Sequence, residues 1–336
     1  MTNIRDIARQ AGVSVATVSY VLNNGPRPVS IDTRQRVLQI IKELNYEPNP
    51  IARRLSLQRS DCLGLALAGL TESNFSNPFY LEYIRGISFA AEANGYNLLL
   101  LTNHKSEDFL SYFLNLIHAH QMDGLFVLGS SIPDTALTAI CQIGFPQVLI
   151  ARHTPDERVF SITQDYQRSS YEATQHLLKQ GYRRIGFLGQ SLQFSYGQER
   201  LSGYRQALAE FPLPVDERLI SIPASLRDDP TSSEIESLMS LSSRPEAILT
   251  DRELVVFSSL RELGWRIPQD VALVGLDESE TAAVLDVPLT TMHSPKFEMG
   301  KKAVEMLLQI ISGETPVSPV YFPMQLIVRQ SSPLRI

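Results

Sequence analysis

From residue 61 onward, short apolar runs alternate with amphipathic stretches. The runs are 62–69 (CLGLALAG), 97–102 (NLLLLT), 124–129 (GLFVLG), 147–151 (QVLIA), 184–189 (RIGFLG), 246–250 (EAILT) and 271–276 (VALVGL). Helical periodicity marks the segments between them, including 79–94, 106–120, 169–180, 199–210 and 296–312. Such alternation predicts parallel strands, because a parallel pair needs a crossover and a helix supplies it. The expected fold class is α/β, with doubly wound parallel sheets. There are too many strands for one comfortable sheet. Segments 59–69 and 183–189 each begin with an arginine and run into a Leu/Ile-Gly strand, which suggests two similar halves. Two such halves enclose a cleft, with ligands at the carboxyl ends of the strands.

The first sixty residues read differently. Ile4, Ile7, Ala8 and Ala11 recur at helical spacing, and Gly12 stops the run. Ser14 is a good N-cap for a second helix over 15–23, and Asn23-Asn24-Gly25-Pro26 breaks it. Ser30 caps a third helix that runs to about residue 45, with Val37, Ile40, Ile41 and Leu44 inward. Two short helices around Ala11-Gly12-Val13-Ser14, braced by a third, make a helix-turn-helix. In that motif the second helix enters the major groove. Val15 and Ala16 then face base edges, with Tyr20 one turn further along. In 46–60, Pro48 and Pro50 force an extended entry, and Ile51 to Leu57 suits a helix too short to stand alone. Leu55 between basic residues is either a minor-groove wedge or a linker side chain packed on a domain.

Charge supports this division. Residues 1–60 hold nine Lys and Arg against four Asp and Glu, a net of +5; the remaining 276 hold 21 against 32, a net of −11. A basic head on an acidic body fits a polyanion-binding module joined to another activity. The 336-residue length suggests roughly two to three domains. Two cysteines, Cys62 and Cys141, exclude a disulfide scaffold and fit a reducing compartment. MTNIRDIARQAG lacks the apolar core of a signal peptide, and no apolar run is long enough to span a bilayer. A cytoplasmic location is expected.

The stretch NIRDIARQAGVSVATVSYVLNNGPRPVSIDTRQRVLQIIKELNYEPNPIARRL resembles the head of a LacI/GalR-family transcriptional repressor, and the resemblance runs through the whole chain. It implies a helix-turn-helix DNA-binding domain over 1–46 and a hinge over 47–60. It further implies a periplasmic-binding-protein-like body whose chain crosses three times between lobes. The amino-terminal lobe takes 61–162 and 291–323, and the carboxyl-terminal lobe takes 163–290 and 324–336. A homodimer on a palindromic operator is implied, and the lack of a carboxyl-terminal heptad extension agrees with a dimer. By resemblance, Val15, Ala16 and Tyr20 read the major groove, and Ser14, Thr17, Ser19 and Asn23 contact the DNA backbone. Ala52, Arg53 and Leu55 enter the minor groove. Tyr20 stands where relatives commonly carry an arginine.

The cleft residues follow partly from position and partly from resemblance. Asp277 ends the run VALVGL, where it either faces the cleft or caps a helix over 278–285. Arg200 opens the helix 199–210 and matches a family arginine that binds an effector hydroxyl or carboxylate; a surface salt bridge is the alternative. Phe79 and Tyr80 in SNPFYLEYIRG suit stacking on a sugar or base, or core packing. Ser130 and Tyr196 lie on loops expected at the same cleft. Arg252-Glu253 replaces the Asn-Asp of many relatives, placing Arg252 to pair with an anionic effector or with Asp277. Ala151 stands where sugar-binding relatives carry an aspartate.

No P-loop, nucleophile elbow or dinucleotide fingerprint is present, and His118 and His120 diverge on a helix. The sequence points to no cofactor, no metal and no enzyme. It points to a ligand-controlled regulator with three partners: operator DNA, a small-molecule effector and a second copy of itself. The alternatives are a solute-binding protein without DNA function, or a regulator controlled by a partner protein.

Overall fold

The computed structural model describes residues 3–23, 28–46, 59–67, 78–101, 109–129, 132, 134–189, 191–211, 213–222 and 232–334, apart from the side chains of Asn23 and Pro78. Two compact units divide at Asp61.

Among the described residues the first unit holds three helices, and each start has a local cause. Helix α1 (Ile4–Ala11) opens on a capping box: Asn3 Oδ1 accepts from the N–H of Arg5 at 2.9 Å, and Asp6 accepts from the N–H of Asn3 at 3.1 Å. It closes at Gly12, whose φ of +65° is a conformation only glycine adopts freely. Helix α2 (Val15–Asn23) is capped by Ser14, whose Oγ accepts from the Thr17 N–H at 3.1 Å. Helix α3 (Ile31–Glu43) is capped in the same way by Ser30. Ile7, Ala8, Ala11, Val18, Val21, Val37 and Ile40 close the core between them.

The second unit has two lobes. Chain order begins with β1 (Cys62–Leu67), α4 (Pro78–Ala93), β2 (Asn97–Leu101), α5 (Phe109–His118), β3 (Gly124–Leu128), α6 (Asp134–Gln142), β4 (Gln147–Ile150) and β5 (Phe160–Gln164). It continues with α7 (Tyr166–Lys179), β6 (Ile185–Leu188), α8 (Ser195–Glu210), β7 (Ile220–Ser221), α9 (Ser232–Met239) and β8 (Ala247–Thr250). Then come α10 (Glu253–Glu262), β9 (Ala272–Gly275), α11 (Glu280–Val284), β10 (Thr290–His293), α12 (Lys296–Ile311), β11 (Val320–Phe322) and β12 (Gln325–Ile327).

One sheet runs β11-β5-β4-β3-β1-β2 and the other β12-β10-β9-β8-β6-β7. Every pairing is parallel except β10 with β12. The chain therefore passes between sheets after β5, after β10 and after β11. The expected boundaries at 162 and 290 differ slightly from this. Strand β5 runs on to Gln164 in the first sheet, and β10 belongs wholly to the second. Buried strands such as β3 and β9 are continuously apolar because helices cover both faces. Helix α8 packs against α7 at Gly203, where a Cβ would stand 2.0 Å from the Gln167 carbonyl oxygen. Among the described residues, no helix is long and apolar enough to cross a membrane.

Candidate functional site

A cavity of about 760 Å³, counting its open mouth, lies between the lobes. Its wall is assembled from residues just past strand ends: Gly129 after β3, Ala151 and Arg152 after β4, Asp251 after β8 and Asp277 after β9.

Arg200 is the floor of this cavity. It lies in the second turn of α8 and is buried. Helix α8 begins at Ser195, so Arg200 does not open it as expected; Ser195 and Gly197 are weak helix formers that read as loop. Its guanidinium donates to Asp251 Oδ2 at 2.9 Å and to Asp277 Oδ2 at 2.7 Å. It also lies 4.8 Å from the Tyr166 ring centroid and 6.0 Å from that of Tyr196. Burial works against the arginine's charge, but Asp277 and Asp251 outweigh it and hold its pKa above the ordinary value. Burial pushes Asp251 up, and Arg200 offsets only part of that. The helix after Asp277 is Glu280–Val284 and is capped by Ser279, so Asp277 is the ion-pair partner rather than a cap.

Glu253, the first residue of α10, lies against the same carboxylates. Burial first, then the charge of Asp277, push its carboxyl up to about 8, with its own backbone N–H and Lys296 pulling the other way. Near neutral pH it is mainly an uncharged acid that can donate as well as accept. Room for it depends on Gly275, where a Cβ would stand 3.0 Å from Glu253 Cβ.

The first lobe supplies Arg152, which donates to the Ile132 carbonyl and to Asp134 Oδ1, each at 2.8 Å. It lies 5.0 Å from the ring centroid of Phe194, a residue of the second lobe. Phe194 in turn stacks on Tyr196, with centroids 5.9 Å apart and planes at 3°. Tyr166 donates its hydroxyl to the Ala151 carbonyl at 2.7 Å, and Ala151 itself sits at φ +66°. Phe79 and Tyr80 both line the cavity, edge to face at 5.3 Å. Lys296 Nζ lies 5.1 Å from the Phe79 ring centroid and donates to the Glu278 carbonyl at 2.7 Å. Arg252, at the N-cap of α10, lines the wall and donates its backbone N–H to Thr250 Oγ1 at 3.0 Å.

Six of the seven expected effector residues thus share one cavity: Phe79, Tyr80, Tyr196, Arg200, Arg252 and Asp277. Ser130 lies outside the described residues. In the first unit, Val15 and Ala16 are exposed at the start of α2, with Thr17, Ser19 and Tyr20 half-buried beside them. The Asn23 side chain and Ala52, Arg53 and Leu55 lie outside the described residues.

Residues 3–49 match the family described as bacterial regulatory proteins, lacI family, and residues 174–332 match the periplasmic binding protein-like domain. The ribose operon repressor of Haemophilus influenzae is 34% identical over 316 residues, covering 93% of each chain. The chain belongs to the LacI family. Two solved structures place this LacI-family chain further. A complex of the transcriptional regulator CelR with cellobiose is 30% identical, with a TM-score of 0.73, covering 98% of this chain and 100% of that one. The operator-bound lac repressor dimer shares the fold at a TM-score of 0.78 and 23% identity, covering 99% of each chain.

Sequence reasoning missed four contributors to this LacI-family cavity: Arg152, Tyr166, Asp251 and Glu253. Asp251 was findable, since it follows a strand end just as Asp277 nearly does. Tyr166 was not, because the strand before it, FSITQ, is too polar to stand out.

Proposed function

We propose that the chain is a sequence-specific DNA-binding transcriptional repressor, acting as a dimer on a palindromic operator and controlled by a small-molecule effector in the interlobe cavity. One observation carries the effector half: the cavity gathers, from both lobes, six residues expected there partly from position and partly from the family resemblance. The basic helix-turn-helix head supports the DNA half. In this reading Val15, Ala16 and Tyr20 meet base edges, and Ser14, Thr17, Ser19 and Asn23 meet phosphates. Ala52, Arg53 and Leu55 act in the minor groove. Phe79, Tyr80, Ser130, Tyr196, Arg200, Arg252 and Asp277 contact the effector. The lobes divide after Gln164, after His293 and between Phe322 and Gln325. The role is regulatory rather than enzymatic, and its setting is the cytoplasm.

The relatives named here are a ribose operon repressor and a cellobiose-bound regulator, which supports a sugar or related metabolite as effector. Arg200 already spends both terminal nitrogens on Asp251 and Asp277. The groups that line the cavity beside that pair include Asp277 Oδ1, the Glu253 carboxyl, Arg252 and aromatic faces. Carboxyls, a guanidinium and aromatic faces together match the hydroxyls and the apolar face of a polyhydroxylated molecule. Control is linkage: an effector with different affinity for two lobe arrangements shifts operator affinity, typically by about 1–3 kcal/mol, and operator shifts effector affinity equally.

The test is selection of genomic DNA fragments by the full-length protein at stated salt, with and without a panel of sugars. Enrichment of one palindromic site, altered by one panel member, is the expected result. Sugar binding with no enriched site under any condition would favour a solute-binding protein instead.

A further inference from the structure

We propose that Val15 and Ala16 read thymine through its 5-methyl group, so that each operator half-site presents thymine where the first turn of α2 meets the major groove. The inference rests on α2 being the recognition helix and adds which base it recognises.

The chemistry of that turn is unusual for a base reader. Helix α2 is VATVSYVLN. It has no arginine, lysine or glutamine, and its one asparagine is its last residue. The side chains that fork onto guanine or adenine edges are therefore missing from its first two turns. Val15 is 42% exposed, whereas Val18 and Val21 on the same helix are buried at 0% and 3%. Folding uses the other two valines and leaves Val15 to solvent. A β-branched residue is also a mediocre choice for an exposed helical position. Ala16 is exposed beside it.

The nearby hydroxyls serve the helix start and the phosphates rather than base edges. Ser14 Oγ and Thr17 Oγ1 are hydrogen-bonded to each other at 2.9 Å, and Ser14 Oγ also accepts from the Thr17 N–H. Both hydroxyls serve the cap. The first turn consequently offers methyl groups outward. The thymine C5-methyl is the apolar feature of the major-groove base edges, so it is the group such a surface recognises. The net +5 of residues 1–60 supplies the sequence-independent attraction that a purely apolar reader lacks.

The test uses full-length protein and its selected operator. Each thymidine is replaced in turn by deoxyuridine, which removes the methyl and leaves every hydrogen-bonding group in place. Affinity is expected to fall about four-fold for one methyl at one or two positions per half-site, and about sixteen-fold when the same position is substituted in both half-sites. Val15→Ala should lose the sensitivity at one of those positions while circular dichroism of the head is unchanged. A specifically bound operator whose affinity is the same across the whole deoxyuridine series would overturn the methyl reading and leave the regulator reading intact. Absence of any selected site, with or without sugars, would remove both.

Discussion

Gln164 donates its side-chain amide to Ser294 Oγ at 2.9 Å, and this bond joins the first passage between the lobes to the second. The same amide donates to the Tyr83 hydroxyl at 2.9 Å, and the Tyr83 hydroxyl donates to Met299 Sδ at 3.7 Å. All of this is buried, so the end of β5, the start of α12 and the inner face of α4 are tied at one point. Gln164→Leu should lower the unfolding free energy by about 1–3 kcal/mol, because Ser294 and Tyr83 lose a donor in a water-free setting. Chemical denaturation checks it; unchanged stability would show that the bond contributes nothing to the tie.

Arg200→Ala is expected to destabilise the body by about 3–5 kcal/mol, since it strands the wholly buried Asp251 side chain beside Asp277. It is therefore a poor probe of effector binding. Asp277→Asn keeps the Arg200–Asp251 pair and should lose effector affinity with a much smaller stability change. Calorimetric titration beside urea melts separates the two; equal losses of stability would contradict the geometry.

Glu253 makes stability depend on pH in a stated direction. Its carboxyl is pushed up to about 8 in the folded chain, against an ordinary 4.5. Between those values the folded state holds a proton that the unfolded chain has released. Its contribution is fully present below about pH 4.5 and is lost as pH rises through about 8. Melts of wild type and Glu253→Gln across that range should diverge, the wild type falling more steeply. Parallel curves would show that Glu253 is ionised throughout.

Gly203→Ala places a methyl 2.0 Å from the Gln167 carbonyl oxygen, on backbone that has no rotamer to offer. A loss of about 1–3 kcal/mol is expected from forcing α7 and α8 apart. Because α8 carries Arg200, effector affinity should fall too. A variant as stable as wild type would mean the helices separate freely.

Much of this was legible. Gly12, Ser14 and Ser30 mark boundaries in the head because capping is local chemistry, whereas the Asn3 cap went unread. The apolar runs of β1, β3, β4, β6, β8 and β9 stand out because both faces of a parallel sheet are covered. Strands β5 and β10 do not, since Thr163, Gln164, Thr290 and Thr291 are all fully buried yet polar. Their place depends on partners distant in sequence, such as Ser294 and Arg329. The cavity was half legible for the same reason. Asp277 and Arg200 were visible singly, but the fork of Arg200 onto both Asp277 and Asp251 exists only once three elements meet.

The carboxyl-terminal twenty-odd residues serve two masters. Strand β11 is an edge of the first sheet and β12 an edge of the second, with only Pro323 and Met324 between them. A ribosome must therefore translate past residue 327 before both lobes have their hydrogen-bonded edges. A premature stop at codon 315 would cripple both lobes together rather than spare one. The two lobes are separate in space but not separable as gene fragments.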